Sequence, residues 1–309
     1  MVRLATFNLC NLDAAAPPPR LARVAKVIVH SLGGPDILAV QELAAPGPAA
    51  AGGQVPGTAA FQALVAAVAA AGGPRYDYRE VPPLEDAEGG LRGANIRLGL
   101  LYAPDRVRFV DRGPADPAAA VAVEDSAGRP RLSLSPGRIA PDHPAFAGDP
   151  LRHWKASRKA LAAEFRVGDA TLFVINCHFK SMRGTTRRET ASAKKQRHAQ
   201  AEVVHDFARR ILTLQPQARL VLMGDLNDVP GSLTLRVLKG DLLYNLTEDI
   251  RKKDRYTRRH GSQAQALDHV LVSQALRPGA RVAIPHVNVD SGDEFRASDH
   301  DPVLAELFT

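Results

Sequence analysis

The sequence predicts an α/β fold: a four-layer sandwich of two mostly antiparallel β-sheets packed face to face, with helices outside. Three observations carry that expectation. The chain opens with a strand, a helix and a second strand. Its later half holds a hairpin that leads into a long helix and a further strand. Five clusters of polar residues, each suited to acid–base or metal chemistry, fall at the ends of predicted strands.

The elements follow in order. Leu4 to Leu9 reads as a buried strand. Leu21, Val24, Ile28 and Leu32 recur at helical spacing between Arg20, Arg23, Lys26 and His30, and Gly33-Gly34-Pro35 stops that helix. Ile37 to Val40 is a second strand that delivers Glu42 at its end. Residues 44–57 are rich in Ala, Pro and Gly and read as loop. Thr58 is placed to cap a helix whose Phe61, Leu64, Val65 and Val68 form one face. Leu98 to Tyr102 and Val107 to Val110 are strands around a turn at Pro104-Asp105, and residues 111–150 read as a long surface excursion with one strand near Arg131 to Leu134. Leu161 to Val167 and Thr171 to Phe179 flank Gly168-Asp169, a hairpin signal. A helix with Val203, Val204, Phe207, Ile211 and Leu212 on its buried face follows a basic segment. Leu220 to Met223, Leu267 to Val272 and Val303 to Phe308 complete the strands.

The chain has 309 residues and 45% hydrophobic content, enough to bury one large core, and no linker separates two sets of motifs, so a single domain over 1–309 is expected. Lys and Arg number 40 against 33 acidic residues, giving a net charge of +7. A basic balance favours a polyanionic partner such as nucleic acid. An Ala- and Arg-rich composition raises the charge without any binding purpose on the alternative reading. Cys10 and Cys177 are too few for a disulfide scaffold, and both fall in predicted buried strands, where a free thiol acts as a small apolar side chain. The opening residues run straight into a motif with no secretory segment before it, and the longest apolar stretch, Ala59 to Ala71, is too short to span a bilayer. The expectation is a cytoplasmic protein without a transmembrane segment. The sequence leaves the oligomeric state open.

The clusters are Thr6-Phe7-Asn8, Gln41-Glu42, Asn176-Cys177-His178, Gly224-Asp225-Leu226-Asn227-Asp228 and Ser298-Asp299-His300-Asp301. Glu42 and Asp299 are candidates for a hard divalent cation, since Mg²⁺ takes a few carboxylate oxygens and keeps several waters. Pairs of Cys and His at zinc spacing are missing from the sequence. His300 is a candidate general base and needs a carboxylate to fix its tautomer; Asp268 is the expected partner and Asp301 the competitor. Asp225 and Asn227 stand two apart, so one can act on water while the amide donates to a phosphate oxygen; an Asx turn is the structural alternative, and the two are compatible. His178 shares a strand face with Asn176 and can donate to a phosphoryl oxygen as its charge grows. Lys180, Arg183 and Arg197, in the basic segment, are with Asn176 weaker candidates for substrate phosphate, beside Arg187, Arg188, Lys194 and Lys195. A second basic run is Arg251, Lys252, Lys253, Arg255, Arg258 and Arg259. Charge runs are commonly just solvated faces.

Taken together, these residues resemble the endonuclease/exonuclease/phosphatase superfamily, the DNase I-like fold. The matched pieces also include Ile96 to Tyr102 and Leu267-Asp268-His269-Val270-Leu271, so the resemblance runs from the first strand to the last. Phe179-Lys180-Ser181 and the Ile96–Tyr102 stretch are most similar to a bacterial nuclease-like branch. The resemblance implies a Mg²⁺- or Mn²⁺-dependent phosphodiesterase. Glu42 would bind the ion with help from Asp299 and Asn8. His300, oriented by Asp268, and Asp225 would prepare the attacking water, while Asn227 and His178 hold the phosphoryl group. Cys10 stands where abasic-site endonucleases of the superfamily usually carry an acid, and His178 where they carry Tyr, which argues against a base-excision role. Nuclease action on DNA or RNA is the leading expectation. A phosphatase or a sphingomyelinase-like phospholipid phosphodiesterase is the alternative on the same core, and a non-catalytic binding module is a third.

Overall fold

In the computed structural model, residues 1–50, 53–292 and 294–308 are described. The first sheet has six strands in the order Arg281–Ala283, Val303–Leu307, Val2–Leu12, Ile37–Leu43, Arg97–Tyr102 and Asp77–Glu80. The second has seven. Leu243–Asn245, Asp268–Ser273, Arg219–Asp225, Ala170–His178, Leu161–Val167 and Arg108–Phe109 run in that order, and Gly137–Arg138 also pairs with Leu161–Val167. Each sheet is antiparallel except for one central parallel pair. Val2–Leu12 runs parallel to Ile37–Leu43, and Ala170–His178 runs parallel to Arg219–Asp225. A parallel pair needs a crossover, and here each crossover is helical. The first is Pro18–Lys26, continued by a wider turn over Val27–Ser31, and the second is Arg187–Leu214.

Three apolar cores make the layers. Val2, Leu4, Ile37, Ala39, Leu172, Val174, Val221, Met223, Val270 and Val272 pack between the two sheets. Phe7, Leu9, Leu38 and Val40 meet the helices Pro18–Lys26 and Thr58–Ala70 on one outside. Phe173, Ile175, Cys177, Leu220 and Leu222 meet Val204, Phe207 and Ile211 of the long helix on the other. Strand side chains alternate between faces, so each central strand serves two cores at once.

That alternation also builds the site. The inner face of the first strand reads Val2, Leu4, Thr6, Asn8. Its parallel neighbour reads Ile37, Ala39, Gln41. In the second sheet the inner faces read Leu172, Val174, Asn176, His178 and Val221, Met223, Asp225. Each starts apolar and turns polar at the carboxyl end. Asp268 enters from the opposite direction, directly across from Asp225. One edge of the sandwich is therefore lined with polar groups from both sheets.

Three local expectations are corrected. Thr58 does not cap its helix. Gly57 takes the cap position, its N–H donating to Glu80 Oε1 at 2.7 Å, and Thr58 becomes the first helical residue. Residues 111–150 are more than a surface excursion. They form the hairpin Val123–Asp125/Pro130–Leu132 and the short helix Pro144–Ala147, and Val121, Leu132, Ile139 and Phe146 are buried in the outer core of the second sheet. Cys10 is only half-buried and sits at φ +50°, past the regular part of its strand, whereas Cys177 is buried. Within the loop 44–57, Ala51 and Gly52 lie outside the described residues.

Candidate active site

The site begins where the parallel pairs stop being regular. Pairing of the first two strands is in register through Asn8 and Gln41, then shifts before Leu12 and Leu43. By alternation Glu42 would turn toward the helices. It instead adopts φ +56°, a left-handed conformation that re-aims the side chain to the inner edge. In the second sheet His178 pairs with Asp225. Gly224 at φ +144° makes that close pairing possible, because a Cβ there would stand 1.9 Å from the Cys177 carbonyl oxygen.

Below the site a buried amide network joins the sheets. Asn176 Nδ2 donates to the carbonyls of Val40 and Gly99, both at 3.0 Å, and its Oδ1 accepts from Gln41 Nε2 at 2.7 Å. Gln41 is bonded in turn to Thr6 Oγ1. Asn176 is fully buried and its amide is committed to this bridge, so its expected role at a substrate phosphate is withdrawn. Arg197 is corrected likewise. It is 4% exposed, its Nε pairs with Asp228 at 3.2 Å and its Nη1 donates to the Lys180 carbonyl, so it braces the loop after His178 from inside the protein.

Above that floor the polar ends of both sheets meet. His178 Nε2 lies 3.4 Å from Asp225 Oδ2 and 3.7 Å from Glu42 Oε1. Asn8 Nδ2 donates to Asp225 Oδ2 at 3.0 Å, while its Oδ1 accepts from the Cys10 N–H. Asn8 thus orients Asp225 across the sheet boundary. The Asn227 N–H donates to Asp225 Oδ1 at 2.9 Å, forming an Asx turn with Asn227 at φ +51°. Asn227 Nδ2 donates to the Phe179 carbonyl at 3.1 Å and keeps a second N–H.

His300 Nδ1 lies 2.7 Å from Asp268 Oδ2, and its Nε2 faces Asp225 Oδ2 at 3.9 Å. Asp301 takes no part. Its Oδ1 accepts the N–H groups of Val287, Asn288 and Val289, and its Oδ2 meets His286 Nδ1 at 2.9 Å. Ser298 ties this segment to the first strand, donating to the Asn8 carbonyl at 2.6 Å and accepting from the His300 N–H. Asp299 is half open to solvent and is held by Arg258 Nη2 at 2.6 Å.

Burial and charge divide the titrating groups. Burial drives His178 well below the usual imidazole range, helped by Arg158, His300 and Lys180, so it stays neutral. Burial also opposes charge on His300, but the carboxylates of Asp268 and Asp225 outweigh it and raise the imidazole to about 10. Burial pushes Asp225 up to about 7. Asp225, Asp268 and His300 are close enough to one another to hold an ion. The short Asp268–His300 bond, however, makes that trio an oriented imidazole between two carboxylates. Glu42 remains the carboxylate that is partly open and has no hydrogen bond of ordinary length among the described residues.

Sequence reasoning passed over Arg158. Its guanidinium is 4% exposed, donates to the Phe179 carbonyl at 2.6 Å, and has no salt bridge among the described residues. Its charge acts on Glu42, Asp225 and His178. Its place directly before the Leu161–Val167 strand was the available signal, a cation at the open edge of the second sheet. Lys180 and Arg183 line a cavity of about 700 Å³ that adjoins Asn227.

An inter-sheet cluster of carboxylates, amides and imidazoles on a sandwich of this topology defines a scaffold for phosphoester hydrolysis. A sequence profile of the Endonuclease/Exonuclease/phosphatase family matches residues 5–300, and the chain belongs to that family. No curated protein matches the sequence. Among solved structures, a humanized D. rerio TDP2 carrying 14 mutations is 16% identical over 100% of this chain and 99% of its own, with a TM-score of 0.61. D. rerio TDP2 complexed with a single strand DNA product is 16% identical over 100% and 99%, with a TM-score of 0.58. The Bacteroides thetaiotaomicron mannosyl-6-phosphatase Bt3783 is 16% identical over 100% of both chains, again with a TM-score of 0.58. At these identities the likeness is one of fold, and it is the DNase I-like sandwich. Among the described residues no helix is long and apolar enough to cross a membrane.

Proposed function

We propose that this protein is a divalent-metal-dependent phosphodiesterase that cleaves nucleic acid. One observation carries the reading: Glu42 of the first sheet and Asp225 of the second converge on His178 Nε2 within 3.7 Å. Such a cluster serves no packing purpose, since buried or half-buried like charges raise the free energy of the fold.

The donor set fits a hard divalent ion. Glu42 offers oxygens with no hydrogen bond of ordinary length among the described residues, and the surrounding donors are carboxylate and amide oxygens rather than thiolates. Glu42 would hold Mg²⁺ or Mn²⁺, with Asp299 contributing the oxygen that Arg258 leaves free and Asn8 a remaining lone pair. When bound, the ion supplies positive charge to the phosphoryl oxygens and to the carboxylate cluster.

The chain's own groups then divide the work. Asp268 fixes the His300 ring so that Nε2 faces the site. Without the ion the surrounding carboxylates keep the ring protonated up to about 10, and it would take a proton from water once positive charge at those carboxylates lowers it. Asp225, held by Asn8 and by the Asn227 N–H, orients that water. The spare N–H of Asn227 and the neutral ring of His178 donate to phosphoryl oxygens as their charge grows. Arg158 adds a fixed positive potential from below.

Nucleic acid is favoured as substrate by the net charge of +7 and by Lys180 and Arg183 beside the site. The neighbour solved with a DNA product supports the same reading. The mannosyl-6-phosphatase neighbour defines the competing one. A panel of plasmid DNA, RNA, bis(p-nitrophenyl) phosphate, sugar phosphates and sphingomyelin, assayed with Mg²⁺ or Mn²⁺, separates them. DNA or RNA cleavage that weakens steeply with salt is expected. Turnover confined to sugar phosphates or sphingomyelin would overturn the nuclease reading.

A further inference from the structure

The cavity beside Asn227 is bounded by the segment 180–190 on one side and by the Arg258–His260/Gln263–Gln265 hairpin on the other. At about 700 Å³ it has room for more than the phosphoryl group under attack. Its charge is one-sided. Lys155, Lys180, Arg183 and Arg258 line it, with His153 and His260, against a single carboxylate, Glu189. Glu189 is occupied by the Thr185 N–H and hydroxyl, and Arg258 is occupied by Asp299. No salt bridge among the described residues neutralises Lys155, Lys180 or Arg183. Burial, with Arg158, Lys155 and Arg197 nearby, brings Lys180 down to about 8, and Glu189 offsets them only in part. Met182 and Leu267 supply an apolar wall.

We infer that this cavity is a second phosphate subsite, in which Lys155, Lys180 and Arg183 hold the phosphate next to the one being cleaved. The inference rests on the nuclease reading and sharpens it: the preferred substrate carries at least two consecutive phosphodiesters. Phosphatase and phospholipid substrates with a single phosphate leave these cations unpaired. Lys155 and Arg183 are exposed, so a second phosphate gains their charge-assisted contacts while a single-phosphate ligand gains none.

The thymidine oligomers TpT and TpTpT, with one and two phosphodiesters, test it in the presence of Mg²⁺. The wild-type protein should show kcat/KM about tenfold or more higher for TpTpT, the scale of one or two charge-assisted hydrogen bonds. In Lys155→Ala/Arg183→Ala that gain should collapse toward the twofold expected from counting bonds, and Lys155→Arg/Arg183→Lys should recover most of it. Both substrates are measured on one preparation, so partial misfolding cancels from the ratio. A wild-type gain of twofold or less, or a gain that survives the double alanine variant, overturns the subsite while leaving the phosphodiesterase reading in place. Hydrolysis of neither oligomer by the wild-type protein overturns both.

Discussion

His300 and Asp268 form a buried pair, with Nδ1 and Oδ2 2.7 Å apart, and the other Asp268 oxygen has no hydrogen-bond partner among the described residues. A carboxylate left half-satisfied in the interior is costly, so its retained bond to the imidazole is strongly directional. The pair brings together the end of the sequence and the second sheet, and it aims His300 Nε2 at Asp225.

Replacing Asp268 by Asn therefore removes orientation without removing bulk. Hydrolysis by Asp268→Asn should fall by about 10²–10⁴-fold in kcat, the range seen when a catalytic imidazole loses its orienting carboxylate. Steady-state kinetics with circular dichroism as a folding control checks this. Activity within a few-fold of wild type would remove Asp268 from the mechanism.

His300 also links the site to stability. Folding raises its pKa from 6.5 to about 10, so over that interval the folded state holds a proton that the unfolded state releases. The stabilisation is complete below pH 6.5 and is lost as pH rises through about 10. Asp225, raised to about 7 by burial, acts in the same direction at lower pH. In chelator, the urea midpoint should fall between pH 7 and 9.5, and His300→Ala should flatten that fall. Equal slopes for the two proteins would contradict the assignment.

Asn176 should behave as a structural residue. Asn176→Ala removes the amide that the Val40 and Gly99 carbonyls accept from and the oxygen that, beside Thr6 Oγ1, accepts from Gln41 Nε2, at a cost of about 2–5 kcal/mol. Urea unfolding measures it. A stable variant with a raised KM would instead return Asn176 to the substrate.

These contrasts show what the sequence could and could not reveal. Strand alternation puts Asn176 and His178 on one face, and the structure agrees. Alternation says nothing of depth, and one step along the strand separates a residue at the open edge from one sealed between sheets. Arg197 was hidden by its basic surroundings. Helical spacing from Ala193, Ala201 and Val204, all on the buried side, was the signal that set it apart from the exposed Lys194 and Lys195. Glu42 stands at a position where alternation points outward, and only the left-handed backbone brings it in. The competition between Asp268 and Asp301 for His300 turned on the loop 287–289, whose three N–H groups claim Asp301. No local pattern encodes that. The two-sheet layout was readable because the apolar runs, the Gly168-Asp169 turn and the polar strand ends all agree with one topology.

In the proposed mechanism, polar groups from both sheets serve one divalent ion during phosphodiester hydrolysis. The most direct measurement is cleavage of a single-stranded oligonucleotide by the purified protein, first in chelator and then with Mg²⁺ or Mn²⁺ restored. Cleavage should be absent in chelator and return with either ion, and Glu42→Gln should respond to neither. Undiminished cleavage in chelator, with Glu42→Gln as active as the wild type, would contradict it.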